Sequence, residues 1–139
     1  MLEGISARDI AVSGLKAQRT RMNVIANNIA NAMTPVTPGG GAFRRQMAVM
    51  RGHQLGGPAR PDKFGVEVTR VAKDMSPLKQ VFEPDSPYAN SEGYVEYPNV
   101  NLSAEMVNLL SAQRAYEANI SIITAGRTMG ARAMRIIEA

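Results

Sequence analysis

The distribution of proline constrains this chain more than any other sequence feature. All eight prolines of the 139-residue sequence fall between residues 35 and 98. Proline costs about 3 kcal/mol inside a helix, because it lacks an N–H group and its ring clashes with the preceding turn. The two proline-free ends therefore permit long helices, whereas the middle must turn. The sequence divides into an N-terminal helix segment (1–34), a Pro/Gly-rich middle segment (35–98) and a C-terminal helix segment (99–139).

The first segment predicts a helix over about 4–33. Its apolar residues recur at helical spacing, and the helix ends where Thr34 precedes Pro35, because the residue before a proline is disfavoured in helical geometry. The apolar stripe contains Leu15, Met22, Ile25 and Ile29.

Four asparagines crowd the end of this helix, although asparagine is a mediocre helix former. They are Asn23, Asn27, Asn28 and Asn31. A solvated polar face would explain them. Amide hydrogen bonds between packed helices would also explain them, and the flanking Ala26, Ile29 and Ala30 favour this second interpretation because a polar contact of that kind fixes helix register.

The last segment predicts an uninterrupted, coiled-coil-like helix over about 102–138. Asn101 or Ser103 can cap its start, and Glu105 suits the positive first turn. Its apolar seam alternates in steps of three and four through Met106, Leu109, Gln113, Tyr116, Ile120, Ile123, Arg127, Gly130, Met134 and Ile137. Within the seam, Arg127 either extends to the edge or pairs with an acid on a neighbouring subunit.

A second face of the same helix carries small residues. Ala104, Ser111, Ala118 and Ala125 recur every seven positions, and Ala115 joins them. High helix propensity alone would account for alanine here. The other interpretation is a helix that packs on more than one side.

The middle segment predicts short strands at 42–50, 64–72, 79–83 and 94–97, separated by turn residues. The predicted fold class is therefore mainly α with a small β-rich insert. Long N- and C-terminal helices form a coiled-coil-like pair, and short strands or a hairpin lie between them.

The helices are too long for a small globule. At 1.5 Å per residue they span about 45 and 55 Å, whereas a compact chain of this length has a diameter of about 35–40 Å. An antiparallel pair would still expose further apolar faces. The seam therefore requires neighbouring chains, which predicts an assembly protein rather than a free-standing enzyme.

The residue inventory offers little chemistry. Absence of cysteine excludes disulfides and thiolate sites, and the single histidine, His53, is assigned to a loop. No catalytic, cofactor-binding or metal-ligating residue is predicted. The acids Asp62, Glu67 and Asp74, and the basic patch of Arg44, Arg45 and Arg51, are interpreted as solvated surface charges.

Charge and hydropathy place further limits on function. The net charge is +4 and the sequence pI about 9.8, with the basic residues spread along the chain, so nucleic-acid binding is permitted but not indicated. No apolar run approaches a membrane span. The start of the sequence, with Glu3 and Asp9, does not look like a cleavable secretion signal.

Two stretches resemble a known family. The helix end Val24–Pro35 is similar to the N-terminal signature of bacterial flagellar rod and hook proteins, and 93–119 resembles the C-terminal signature of their proximal rod type. The motif residues are Thr34, Pro35, Pro98, Asn99, Val100, Asn101, Glu105, Asn108, Arg114, Glu117 and Asn119. One departure is that Thr34-Pro35 leads into a Pro-Gly-Gly-Gly segment instead of Thr-x-Gly-Tyr/Phe.

The resemblance implies a non-enzymatic structural subunit of the basal body. Such proteins polymerise helically into the drive shaft that joins motor and hook, with their terminal helices forming the inner tube. It also implies export through the flagellar type III apparatus without a cleaved signal. The implied partners are the chain itself, other proximal and distal rod proteins and the MS-ring/export-gate adaptor, with no nucleic acid, small-molecule substrate or cofactor.

The residues expected to pack between subunits combine the helix stripe, the asparagines and the seam. They are Leu15, Met22, Ile25, Asn27, Asn28, Ile29, Asn31, Met106, Leu109, Gln113, Tyr116, Ile120, Ile123, Arg127, Met134 and Ile137. An isolated monomer is then expected to be disordered at both ends. The alternatives are another axial protein (distal rod or hook-like) and a basic helical module that binds membranes or nucleic acid.

Overall fold

The computed structural model describes residues 7–139 and contains two helices and four strands. In chain order they are α1 (Ala7–Ala30), β1 (Gln46–Gln54), β2 (Phe64–Lys73), β3 (Lys79–Phe82), β4 (Tyr94–Tyr97) and α2 (Leu102–Glu138). The predicted fold class is confirmed: two long helices pack together and two small antiparallel hairpins lie between them in sequence. The predicted helix start near residue 4 lies outside the described residues.

The two helices run antiparallel. Asn28, near the end of α1, contacts Glu105 in the first turn of α2, and Gly14, in the first half of α1, lies against Asn119, further along α2. At 1.5 Å per residue, the 24 residues of α1 extend about 36 Å and the 37 residues of α2 about 55 Å. The far end of α2 therefore extends beyond the described part of α1.

Local chemistry determines where α2 begins. Asn101 has extended geometry (φ −98°, ψ 108°), and its side-chain oxygen accepts a 3.1 Å hydrogen bond from the Ala104 amide. This is an N-cap, which satisfies one of the free amide groups at the helix start. Of the two predicted caps, Asn101 is confirmed and Ser103 is wrong.

The first hairpin packs on α1. β1 and β2 pair in antiparallel register with a bulge between Val49 and Met50. The Ser13 hydroxyl of α1 accepts a 3.1 Å hydrogen bond from the Val66 amide of β2. β1 begins at Gln46 rather than the predicted residue 42, and it extends to include His53, so the loop assignment of that histidine is wrong.

The second hairpin precedes α2. Its strands β3 and β4 pair over four residues each, and Phe82 and Tyr94 make an edge-to-face ring contact at 5.3 Å. Gly93 directly precedes β4 and has a φ of 83°, a left-handed conformation that glycine adopts without a steric penalty.

The hydrophobic core is small. Among the described residues the buried apolar side chains are Ala11, Ala17, Val24, Ile25, Ala32, Val95, Val100 and Ala112. Most of them are alanine or valine, so the helices approach closely but bury little apolar area per residue. The main specific contacts between segments are polar.

Candidate assembly interface

A buried asparagine ties α1 to the start of β1. The Asn28 side chain is 0% exposed. Its Nδ2 donates to the Gln46 carbonyl at 2.8 Å, and its Oδ1 accepts from the Gln46 amide at 2.8 Å. The amide thus imitates a strand neighbour for Gln46, and this pairing aligns the first hairpin on the helix.

The same asparagine also reaches α2. Asn28 Nδ2 donates to Glu105 Oε2 at 3.1 Å, and Glu105 is 1% exposed. The other carboxylate oxygen, Glu105 Oε1, accepts from Arg45 Nε at 2.5 Å. A buried carboxylate requires a charged partner and further hydrogen bonds, and Arg45 and Asn28 supply both.

Two more side chains extend this arrangement toward the second hairpin. The Arg45 guanidinium lies 3.5 Å from the Asp74 carboxylate, and the Arg45 amide donates to Asn99 Oδ1 at 2.9 Å. Asn99 Nδ2 donates to the Asp74 carbonyl at 3.1 Å. We call Asn28, Arg45, Asp74, Asn99 and Glu105 the polar clasp.

The polar clasp joins five segments of the chain: α1, the start of β1, the end of β2, the residues after β4 and the first turn of α2. Asn28 comes from the N-terminal signature, whereas Asn99 and Glu105 come from the C-terminal one. The structure therefore brings the two signatures into one hydrogen-bonded unit. Its hydrogen bonds hold the first hairpin on α1 and connect the start of that hairpin to the first turn of α2.

In the clasp, the ion pair between Arg45 and Asp74 lies at an edge that is partly open to solvent. Hydrogen bonds from the Ser76 side chain and amide lower the pKa of Asp74 below its usual value, with a smaller contribution from the positive charge of Arg45. Asp74 therefore stays ionised beside Arg45. The predictions that Arg45 and Asp74 are merely solvated charges are wrong.

Away from the clasp, two further ionisable groups have shifted pKa values, the Glu67 carboxylate and the Tyr97 hydroxyl. A hydrogen bond from Arg51 lowers the pKa of Glu67, and His53 Nδ1 lies 3.8 Å from the same carboxylate. On the second hairpin, burial and the neighbouring Glu83 carboxylate raise the pKa of the Tyr97 hydroxyl. These groups form surface pairs between strands.

A close approach of the helices occurs at Gly14. A Cβ atom there would lie 2.7 Å from Asn119 Nδ2 and 2.8 Å from Oδ1. The Asn119 amide also donates to the Ala115 carbonyl of its own helix at 2.9 Å. The motif residue Asn119 thus lies at the contact between helices.

The structure distributes the predicted packing residues of α1 across the helix surface. Ile25 and Asn28 are buried; Leu15, Met22, Ile29 and Asn31 are half-buried; Asn27 is exposed. Only Asn28 makes the predicted amide contact between helices. Asn27 donates to Gln46 Oε1 at 3.1 Å, and Asn31 bonds back to Asn27.

On α2 the predicted seam is divided into two edges. Leu109, Tyr116 and Ile123 are half-buried, whereas Met106, Gln113, Ile120, Arg127, Met134 and Ile137 are exposed. Each set recurs mainly at seven-residue spacing. One edge of the seam therefore packs against α1, and the other edge is exposed to solvent along the whole helix.

The remaining motif residues serve local structure or point outward. Pro98 and Val100 are buried before α2, and the Val100 carbonyl accepts from Lys79 Nζ at 2.9 Å. Thr34 accepts from the Phe43 amide through its carbonyl. Pro35 and Asn108 are half-buried, while Arg114 and Glu117 are exposed.

Sequence reasoning missed Gly14, Arg45, Gln46, Asp74 and Ala112. Glycine permits close backbone approach, but Gly126 and Gly130 in α2 have nothing near their missing Cβ, so residue type alone does not single out Gly14. The fully buried Ala112 lies seven residues after Glu105 and seven before Asn119, next to the half-buried edge of the seam around the helix. Arg45, Gln46 and Asp74 carry no periodic signal.

Grouped metal ligands and membrane-spanning helices are both absent from the described residues. Within residues 7–139 no three His, Asp or Glu side chains are grouped closely enough to hold a metal ion. No helix in this part of the chain is both long and apolar enough to cross a bilayer.

Two family models match the chain. The model described as flagella basal body rod protein matches residues 9–35, and the model described as flagellar basal body rod FlgEFG protein C-terminal matches residues 91–136. The two matches contain most of α1 and most of α2, together with Asn28, Asn99 and Glu105.

Curated relatives match over nearly the whole length. The flagellar basal-body rod protein FlgC of Borreliella burgdorferi is 43% identical over 96% of this chain and 97% of its own length. The chain belongs to the FlgC family. FlgC of Salmonella typhimurium is 41% identical over 87% of this chain and 88% of its own length, and FlgC of Bacillus subtilis is 34% identical over 92% and 94%.

Membership of the FlgC family confirms the resemblance seen in the two signatures. The FlgC relatives match the chain across the β hairpins as well as the helices, so the polar clasp lies wholly within the shared region. The alternative of a basic module unrelated to flagellar proteins has no support in these matches.

Proposed function

We propose that this chain is a structural subunit of the bacterial flagellar basal-body rod, of the proximal type. It polymerises through α1 and α2 into the drive shaft and transmits motor torque to the hook. The observation that carries this proposal is the exposed apolar surface of α2, on a chain whose relatives are named as rod proteins.

The C-terminal part of α2 is left without an intramolecular cover among the described residues. Every residue from Thr124 to Ala139 is exposed. Met134 and Ile137, the last positions of the predicted seam, are among them. Burying one such side chain stabilises by about 1.5–3 kcal/mol, whereas an isolated helical segment of about 15 residues is marginal in water. Neighbouring subunits would supply the missing surface.

The proposal includes a set of partners and a location. The chain packs against copies of itself, other proximal and distal rod proteins and the MS-ring/export-gate adaptor, and it reaches the basal body through the flagellar type III apparatus without a cleaved signal. It binds no small-molecule substrate and catalyses no reaction. The names of the FlgC relatives support the rod location; the finer assignments follow from the resemblance of its signatures.

The proposal is tested by substituting two exposed apolar residues of the seam. In cells that lack the chromosomal gene, the double variant Met134→Ser, Ile137→Ser is expected to abolish swimming and to leave the tagged protein out of isolated basal bodies. The matched control is Thr128→Ser, an exposed change in the same part of α2. Wild-type incorporation and motility of the double variant would contradict the proposal.

A further inference from the structure

An apolar groove is lined by the turn that follows α1, by strand β3 and by the start of α2. Met33 and Leu102 line it and are 70% and 49% exposed, and Val81 contributes a third apolar side chain. The Glu83 carboxylate stands at the same groove, where it accepts a 3.2 Å hydrogen bond from the Tyr97 hydroxyl. Lys79 also lines the groove, and its Nζ donates to the Val100 carbonyl at 2.9 Å. The groove therefore combines apolar contact area with one acid and with one lysine whose ammonium group is held by a backbone carbonyl.

The surrounding hairpin is acidic in a basic chain. Residues 79–97 contain four acids and one lysine, a net charge of −3, whereas the whole chain carries +4. The acids are Glu83, Asp85, Glu92 and Glu96. The lysine, Lys79, donates to the Val100 carbonyl. The field at this end of the molecule favours a cationic partner.

The opposite end of α2 has the complementary character. Residues 124–139 carry Arg127, Arg132 and Arg135 against the single acid Glu138. Met129, Arg132 and Ile136 follow the i, i+3, i+7 spacing of a helix that docks into a groove. Met129 and Ile136 are 70% and 77% exposed. The mean direction of this face lies about 140° around the helix from that of Met134 and Ile137.

The two surfaces cannot meet within one chain. Leu102 borders the groove at the first residue of α2, and Met129 to Ile136 lie 27 to 34 residues further along the same helix. At 1.5 Å per residue this separation is about 40–50 Å. Only another molecule can bring the basic apolar face to the acidic apolar groove.

We propose that the groove formed by Met33, Val81, Glu83 and Leu102 receives the Met129–Arg132–Ile136 face of a second copy of this chain, with Arg132 paired to Glu83. The inference rests on the proposed rod function and names one of its contacts. Because the two surfaces differ, the contact is head-to-tail. Such contacts do not close on two molecules, and repetition generates a ring or an open helical array.

Cysteine pairs test the contact, because the chain has no cysteine of its own. One tagged copy carries Met129→Cys or Ile136→Cys, and a second, differently tagged copy carries Val81→Cys. Both are expressed together, and basal bodies are isolated and mildly oxidised. We expect a disulfide between the two tagged copies. The matched control replaces Val81→Cys by Met75→Cys, because Met75 is an exposed methionine at 74% that lies outside the groove.

Charge reversal tests the assigned ion pair. Arg132→Glu is expected to lower the yield of the crosslink about tenfold, because it places two acids together. Adding Glu83→Lys to the partner copy is expected to restore it. Arg70→Glu changes the net charge equally at an exposed site on β2 and serves as the control.

The outcomes separate the two proposals. Tagged protein in basal bodies without this crosslink overturns the contact and leaves the rod function intact. Absence of the tagged wild-type protein from basal bodies overturns both. A crosslink that survives Arg132→Glu overturns the ion pair.

Discussion

At the scale of single residues, the fold depends on a buried amide and a buried carboxylate. Asn28 makes three hydrogen bonds without exposure to solvent, and Glu105 is held by Arg45 and by Asn28 itself. In a low-dielectric environment such a network stabilises only while it is complete, because each lost partner leaves a buried polar group unsatisfied. The polar clasp is therefore sensitive to single substitutions.

Replacement of Asn28 by alanine is expected to lower the free energy of unfolding by about 2 kcal/mol, because it leaves the Gln46 amide and one Glu105 oxygen without this partner. Urea denaturation of the purified chain measures the effect. The matched control is Asn31→Ala, which removes only local bonds, two to Asn27 and one from the Thr34 hydroxyl, and should cost less than about 0.5 kcal/mol. Equal stability of the two variants would contradict the role of the clasp.

Asp74 predicts how stability depends on acid. Because its pKa is lowered in the folded chain, the unfolded chain binds more protons, and stability is present above the usual aspartate pKa and lost as pH falls through the lower folded value. Asp74→Asn should flatten this decline below about pH 4, the region of the usual aspartate pKa. Ser76→Ala, which removes the main cause of the shift, should act in the same direction. Thermal unfolding between acid and neutral pH measures both, and an unchanged slope in Asp74→Asn would exclude this linkage.

At the scale of elements, the single helix α2 has a packed first part and an exposed second part. Residues Leu102 to Ile123 lean on α1 through Glu105, Ala112 and Asn119, whereas Thr124 to Ala139 are exposed throughout. The sequence alone predicts disorder of both ends in an isolated chain. Because residues 102–123 of α2 pack on α1, we expect disorder of α2 in an isolated chain only in its distal part, from Thr124 onward.

Hydrogen exchange on the dilute chain is expected to follow this division. Amides of residues 106–123 should be protected by packing on α1, and those of 124–138 should exchange rapidly, because a helix end without tertiary contacts frays. Gly126→Ala is a useful companion, since nothing lies near its missing Cβ and alanine should slow the exchange by raising helix propensity. Uniform strong protection across 106–137 would show that α2 is stable alone.

The helix contact at Gly14 makes a separate prediction. Gly14→Ala should destabilise the chain by about 1 kcal/mol despite better helix propensity, because the new Cβ displaces the Asn119 amide from its bond to Ala115. Adding Asn119→Ala should recover stability. A double-mutant cycle in urea measures the coupling, and additive effects would mean that the new Cβ at position 14 does not meet the Asn119 side chain.

At the scale of the whole molecule, charge is segregated by end. The acidic hairpin lies beside the start of α2, and the cluster of three arginines lies at its other end. A chain with this polarity associates head to tail more readily than side by side with the same orientation. The net charge of +4 conceals the arrangement.

Self-association of the purified chain is therefore expected to weaken as salt rises from about 0.05 to 0.5 M, because exposed charges separated by more than a few ångströms are screened. Sedimentation at a fixed high concentration measures it. Arg132→Glu should lower the association and its salt dependence together. Steep salt-dependent binding to DNA or anionic vesicles, without self-association, would instead favour the basic-module alternative.

The helices and strands could be predicted from the sequence, whereas the contacts of the polar clasp could not. The bounds of α2 followed from the absence of proline and from the Asn101 cap, and β4 followed from the turns that flank it. Glu105 was assigned to the helix dipole, which its position in the first turn satisfies, although its main role is the contact with Asn28 and Arg45. Periodicity reports which face a residue occupies and carries no information on partners distant in sequence, so Arg45 and Asp74 could not be distinguished from solvated charges.

The polar clasp also sets the order of events in folding. Asn28 and Glu105 are 77 residues apart, and Arg45 and Glu105 are 60 apart. Contacts of such separation form late, because the loop-closure entropy must be overcome before they contribute. A chain that lacks its last third has no α2 for α1 to pack against and no Glu105 carboxylate for Arg45. Commitment to the native state therefore waits for the C-terminal segment, and until then the chain remains easy to keep extended.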